Sequence, residues 1–180
     1  MFFEELRKQR ILPILTVKDL DQTRKDVANL KSRNFRIIEI TLRTPQSIDA
    51  INEFCSDEDL IIGAGSISTV SQMENVIKAG AKFGVSPGFF PPLVKKAVDS
   101  NFPYIPGIST PSEIMGGVNL GVTVFKFFPS EPLGGLVTLR AMSAPFPGLS
   151  FIPTGGVNSE ISDEYLKEKC VLAVGGSWLV

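Results

Sequence analysis

Lys126 stands in the segment Val-Phe-Lys-Phe-Phe-Pro from Val124 to Pro129, among Phe125, Phe127 and Phe128. An amine taken out of water favours its neutral form, and a neutral amine attacks a carbonyl carbon. Glu39 and Arg43 lie in Arg-Ile-Ile-Glu-Ile-Thr-Leu-Arg from Arg36 to Arg43. Side chains alternate along a strand, so Glu39, Thr41 and Arg43 share one face while Ile38, Ile40 and Leu42 share the other. An amine nucleophile, a proton carrier and a guanidinium clamp together suit imine chemistry on an α-keto acid. Each also has a plainer alternative: a lysine whose ammonium snorkels to water, and a structural ion pair in a polar plug.

Two further segments, Thr154-Gly155-Gly156 and Gly175-Gly176-Ser177, end consecutive apolar runs. Glycine lets an anion approach main-chain N–H groups, Ser177 adds a hydroxyl, and a helix following Asn158 would add its N-terminal dipole. The pair reads as a phosphate cradle, with ordinary tight turns as the alternative. Pro87, in the Ser-Pro-Gly turn at Ser86 to Gly88, and the Pro106–Thr110 turn line the same end. Ser66 has a hydroxyl for substrate or for a local turn.

The rest of the composition narrows the chemistry. Among 180 residues there is no histidine, which removes the serine–histidine triad, the cysteine–histidine pair and the usual histidine-ligated zinc centre. Neither a metal nor an organic cofactor is required by the residues named. Eighteen basic and 19 acidic residues give a net charge of −1, so nucleic acid is not an expected partner. Cys55 and Cys170 form no metal-binding spacing and no disulfide framework, which fits a reducing cytoplasm. The N-terminal Met-Phe-Phe-Glu-Glu contains no secretory apolar stretch, and the uncharged Ala141–Ser159 stretch is broken by prolines, so no membrane span is expected.

Eight short apolar runs could hold these residues in place. They begin at Ile11, Arg36, Leu60, Phe83, Tyr104, Val124, Phe151 and Val171, 20 to 27 residues apart. Helix-like stretches separate them, clearest over 19–33, 68–79 and 159–169, with Ser68 and Asn158 as caps and Gly80 as a stop. Runs apolar on both faces indicate a parallel sheet covered by helices. Eight such units over a single domain, 1–180, predict a closed (β/α)8 TIM barrel, with a doubly wound open sheet as the competing architecture. A first-strand GxGxxG is absent, and Gly or Ser ends most strands at the end where a barrel gathers its site.

The sequence stops at Trp178-Leu179-Val180, directly after the eighth strand, so the C-terminal eighth helix is expected to be lacking. The outer face of Val171–Val174 then needs cover, expected from Phe2, Phe3 and Leu6 or from a neighbouring subunit.

In order along the chain, EITLRT at Glu39, GAGS at Gly63, SPG at Ser86, PGIST at Pro106, FKFFPSE at Phe125, PTGG at Pro153 and GGSWL at Gly175 resemble the KDPG/KHG aldolases. These class I enzymes cleave 2-keto-3-deoxy-6-phosphogluconate or 4-hydroxy-2-oxoglutarate, and the resemblance runs from about Leu12 to Val180. It implies a homotrimeric barrel in which Lys126 forms a Schiff base with pyruvate and Glu39 carries protons. It also implies that Arg43 and Ser66 hold the keto-acid carboxylate, that Pro87 and Thr154 line the substrate, and that Gly155, Gly156, Gly176 and Ser177 take the phosphate. Threonine is usual in the family where Ser66 stands, a change expected to be mild. The residues leave open a phosphogalactonate-type aldolase, a sugar-phosphate isomerase or epimerase using Glu39 as base, and a silent binding protein.

Overall fold

Helices start in this chain where a polar side chain takes over amides that the first turn leaves without partners. Asp19 accepts a hydrogen bond from Gln22 N at 2.7 Å, and Thr69 with Gln72, and Thr110 with Glu113, form reciprocal capping boxes. In the computed structural model, which describes residues 2–180, helix α1 (Phe2–Gln9) precedes β1 (Ile11–Leu15). There follow α2 (Leu20–Ser32), β2 (Ile37–Thr41), α3 (Ser47–Phe54), β3 (Ile61–Gly65), α4 (Val70–Lys78), β4 (Phe83–Val85) and α5 (Pro91–Asp99). The second half contains β5 (Tyr104–Ile105), β6 (Gly107–Ile108), α6 (Pro111–Val118), β7 (Val124–Phe127), α7 (Gly135–Ser143), β8 (Ser150–Pro153), α8 (Ser162–Leu166) and β9 (Val174–Gly176).

All pairings are parallel. One sheet runs β5-β4-β3-β2-β1-β9 and another β6-β7-β8. The run starting at Tyr104 divides into β5 and β6 because Pro106 has no N–H for the ladder, although its carbonyl still accepts Lys126 N at 2.9 Å. On the other side, bridges Phe151↔Val171 and Thr154↔Gly175 join the β8 segment to the one carrying β9, which pairs with β1. The result is an α/β fold with a curled parallel sheet.

Both faces of that sheet are buried. Ile38, Ile40, Ile62 and Ala64 pack on Val27, Leu30, Ile51 and Met73 of the helix layer, and Phe125, Phe127 and Phe151 pack with Leu139, Met142 and Tyr165. The opposite face contributes Leu12, Ile37, Phe83, Val85, Ile105, Val124 and Ile152 to a separate cluster near the strand beginnings. Apolar filling at that end leaves the polar inward residues, which come later on each strand, grouped at the C-terminal end.

The sequence gives no strong start signal for α1, and its role differs from the expected one. Phe2, Phe3 and Leu6 join the interior cluster, and Phe2 stacks on Phe83 with ring centroids 4.6 Å apart. They seal the sheet's N-terminal end in a cluster that also holds Leu172 and Ala173 of the last run, so they cover part of it from the interior and not from its outer face. Val171 and Val174 are instead buried with Tyr165, Leu166 and Trp178, within one chain.

Two local readings also shift. The cap of α4 is Thr69, while Ser68 N donates to Gln72 Oε1 at 2.8 Å. The stretch after Asn158 is a turn before it is a helix: Asn158 Oδ1 accepts from Glu160 N and Ile161 N, and α8 covers only the five residues Ser162–Leu166. The helix dipole expected beside the glycine turns therefore begins too far along, and is too short, to support an anion there.

Candidate active site

Lys126 lies on β7 in register with Gly107 and Ile152, and Glu39 lies on β2 in register with Ile14 and Gly63. Their strands are far apart in sequence, yet the curl brings Lys126 Nζ to 3.7 Å from Glu39 Oε1. Lys126 is 5% exposed and Glu39 1%. Neither carboxylate oxygen of Glu39 has a hydrogen-bond partner among the described residues, an unusual state for a buried carboxylate. The amine also stands 5.2 Å from the centroid of the Phe128 ring.

Glycines make this arrangement possible. The Phe83 ring fills the place where Gly63 would carry a side chain, and the Glu39 carboxylate occupies the corresponding place at Gly65. These two glycines read in sequence only as part of a strand ending in a turn. Their function as space for Phe83 and Glu39 depends on neighbouring strands, whose register no local pattern reveals.

The strand expected to run to Arg43 ends at Thr41, so Arg43 stands two residues past β2, exposed at the rim, and donates from Nε to Ser66 Oγ at 3.1 Å. Ser66 is half-buried with φ +60°, so the chain turns sharply there and aims its hydroxyl toward Arg43. Thr41 Oγ1 meets Thr16 Oγ1 at 2.9 Å, adding a hydroxyl pair that the sequence reading missed.

Pro87 is exposed, and its carbonyl packs against Gly107, the register partner of Lys126. Its turn is held by Ser86 Oγ, which donates to Gly88 O at 2.7 Å and lies 2.6 Å from Tyr104 OH. Burial pushes the Tyr104 hydroxyl up to about 12, so it remains a donor to Ser86 at neutral pH.

Thr154 is buried opposite Gly175, which has no room for a side chain beside the Thr154 hydroxyl. Gly155 and Gly156 follow with φ +94° and +85°, conformations that only glycine adopts readily. The N–H groups of Gly156 and Ser177 have no partner among the backbone bonds of the described turns and loops, whereas the Thr154↔Gly175 bridge turns the Gly155 N–H toward Gly175. Gly176 is buried beneath the Trp178 ring, whereas Ser177 is exposed. The structure thus brings Lys126 to Glu39, Arg43 to Ser66, and Thr154 to the glycine turns. Pro87 is joined to Lys126 through backbone packing alone.

Such a fold, with one buried amine–carboxylate pair across a curled parallel sheet and a guanidinium, hydroxyls and glycine turns following the ends of other strands, defines an α/β protein equipped for carbonyl chemistry. The model of the KDPG and KHG aldolase family matches residues 3–180. The chain belongs to that family. It is 42% identical to the KHG/KDPG aldolase of Escherichia coli K12 over 171 residues, covering 94% of this chain and 80% of the relative. Against the 2-dehydro-3-deoxy-phosphogluconate aldolase of Dickeya dadantii the identity is 41% over the same shares.

The fold agrees equally well. The KDPG aldolase of Legionella pneumophila, solved with pyruvate captured at low pH as a covalent carbinolamine intermediate, superposes with a TM-score of 0.92 at 39% identity, covering 95% of this chain and 84% of that one. The Zymomonas mobilis ZM4 enzyme with 3-phosphoglycerate gives 0.95 at 32% identity, over 99% and 86%.

Proposed function

We propose that this protein is a metal-independent class I aldolase that cleaves 2-keto-3-deoxy-6-phosphogluconate to pyruvate and glyceraldehyde 3-phosphate, and 4-hydroxy-2-oxoglutarate to pyruvate and glyoxylate. The observation that carries the reading is the buried Lys126 Nζ at 3.7 Å from an otherwise unpartnered Glu39 carboxylate. The covalent pyruvate adduct of the Legionella relative supports it.

The neutral amine of Lys126 adds to carbon 2 of the keto acid, giving a carbinolamine, and Glu39 delivers a proton to the departing hydroxyl so that water leaves. The protonated imine is the electron sink. Glu39, directly or through water, takes the proton of the carbon-4 hydroxyl, the bond between carbons 3 and 4 breaks, and its electron pair enters the imine to form an enamine. The aldehyde departs. Carbon 3 then takes a proton, water adds to the imine, and pyruvate leaves with the lysine restored. Arg43 and Ser66 hold the carboxylate next to carbon 2, Pro87 and Thr154 bound the chain of the substrate, and the turns of Gly155, Gly156, Gly176 and Ser177 receive the phosphate through main-chain amides and the Ser177 hydroxyl.

The pairing path around the curled sheet supports a closed (β/α)8 barrel in one domain, 1–180. Exposed Phe90, Met115 and Val118 around α5 and α6 are consistent with burial in a homotrimer, and two free cysteines with the cytoplasm.

Borohydride reduction in the presence of pyruvate tests the central step. The expected product is an irreversibly inactivated protein carrying the reduced adduct on the peptide that contains Lys126, with chelators leaving turnover intact. An isomerase or epimerase using Glu39 as base would give no adduct, and a silent binding protein would give no turnover.

A further inference from the structure

The segment that follows Lys126 is tied to the glycine turn by its backbone. Ser130 N donates to Thr154 O at 2.8 Å and Glu131 N to Gly155 O at 3.0 Å, so the turn's carbonyls are engaged while the amide of Gly156 stays open. The stem of Glu131 crosses Gly156, where a methyl group would lie 2.5 Å from Glu131 Cβ. This puts an acidic side chain directly beside a turn proposed to hold a phosphate dianion, where like charge would oppose binding.

Its carboxylate is drawn away. Glu131 Oε1 accepts a hydrogen bond from the hydroxyl of Tyr165 on α8, and that hydroxyl lies 2.7 Å from Ser130 Oγ. The oxygen comes to rest beside Gly135, where a methyl group would stand 2.8 Å from Glu131 Oε1 and 3.0 Å from the Tyr165 hydroxyl. Tyr165 is itself 1% exposed, so its hydroxyl has little freedom to point elsewhere. Burial, together with the neighbouring carboxylate, pushes it up to about 12, and it stays a donor throughout the neutral range.

We infer that Tyr165 is a positioning residue for phosphate recognition: it anchors the Glu131 carboxylate against α7 and α8 and so keeps a negative charge off the Gly155–Gly156 turn. The inference rests on the reading of that turn as the phosphate site. Neither residue touches the reacting carbons. Their effect is confined to substrates that carry the phosphate.

The experiment compares 2-keto-3-deoxy-6-phosphogluconate with its unphosphorylated counterpart, 2-keto-3-deoxygluconate, in the wild type, Tyr165→Phe, and Tyr165→Phe with Glu131→Gln. Losing a hydrogen bond to a charged group should raise KM for the phosphorylated substrate about tenfold in Tyr165→Phe with kcat held. KM for the unphosphorylated substrate and borohydride trapping with pyruvate should stay the same. Neutralising the freed carboxylate in the double variant should recover most of the lost affinity, a rescue that a general loosening of the fold would not give. An unchanged KM ratio in Tyr165→Phe, or failure of Glu131→Gln to restore it, overturns the inference. A wild type with no preference for the phosphorylated substrate overturns instead the phosphate reading of the turn.

Discussion

Glu39 reaches Lys126 because position 65 has no side chain: a methyl group on Gly65 would lie 2.6 Å from Glu39 Cδ and 2.7 Å from its Cγ. The carboxylate therefore fills volume that the next strand vacates, and the amine–carboxylate pair is set by packing as much as by charge. Gly65→Ala should displace Glu39 toward the mouth, at a cost of about 1–3 kcal/mol in stability for an overfilled interior. Turnover should fall by at least about a hundredfold, the scale of a misplaced proton carrier. Thermal unfolding and steady-state kinetics check this, and a fully active Gly65→Ala enzyme would mean that Glu39 does not need its present place.

Glu39→Gln tests the proton carrier without changing the shape of the interior. The amide cannot accept the carbon-4 hydroxyl proton as a base, so kcat should drop by about 10²- to 10⁴-fold. Lys126 would lose its acidic neighbour but keep its place, so borohydride should still trap pyruvate, only more slowly. Retention of wild-type kcat would remove Glu39 from the proposed mechanism.

Much of this frame was legible from local pattern. Lys126 among phenylalanines is conspicuous because burial makes a charged group costly, and Glu39 within an isoleucine-rich strand is conspicuous for the same reason. Periodicity located the strands, since runs such as Ile61-Ile62-Gly63-Ala64 are buried on both faces. What stayed hidden depends on who the neighbours are. The pairing of Glu131 with Tyr165 spans 34 residues, and the place of Phe2 on Phe83 follows from the closing of the strand beginnings. Helix α8 is shorter than the expected 159–169 because Asn158 caps a turn through Glu160 and Ile161, a pattern that in sequence looks the same as a helix start.

The Thr110–Glu113 capping box gives a pH dependence with a definite sign. Burial raises the Glu113 carboxyl, but hydrogen bonds from Ser109 N, Thr110 N and Thr110 Oγ1, each 2.8 Å, outweigh it and hold the group below the usual carboxylate range. A carboxylate lowered in the folded state adds stability above its unfolded value, ~4.3, and loses that contribution as pH falls through the lower folded value. The stability difference between wild type and Glu113→Gln should accordingly be constant at neutral pH and shrink on acidification below about pH 4. Denaturant titrations at several pH values measure it, and a difference independent of pH would mean that the ionised form is not preferred by the cap.

Ser66 separates backbone strain from recognition. At φ +60° any side chain is disfavoured relative to glycine, by about 1–2 kcal/mol, and a β-branched one most of all. Ser66→Gly should therefore keep or raise thermal stability while removing the hydroxyl that receives Arg43 Nε. The loosened guanidinium should then raise KM for the keto acid about tenfold, on the scale of one hydrogen bond to a charged group. Ser66→Thr should do the reverse, with the hydroxyl and KM retained and stability lowered by about 1 kcal/mol as the branched carbon meets the left-handed backbone. Opposite orderings of stability and affinity, with glycine the most stable and the weakest binder, would establish that the serine contributes to binding at some cost to the fold. If KM stays level across all three, carboxylate recognition belongs to Arg43 alone.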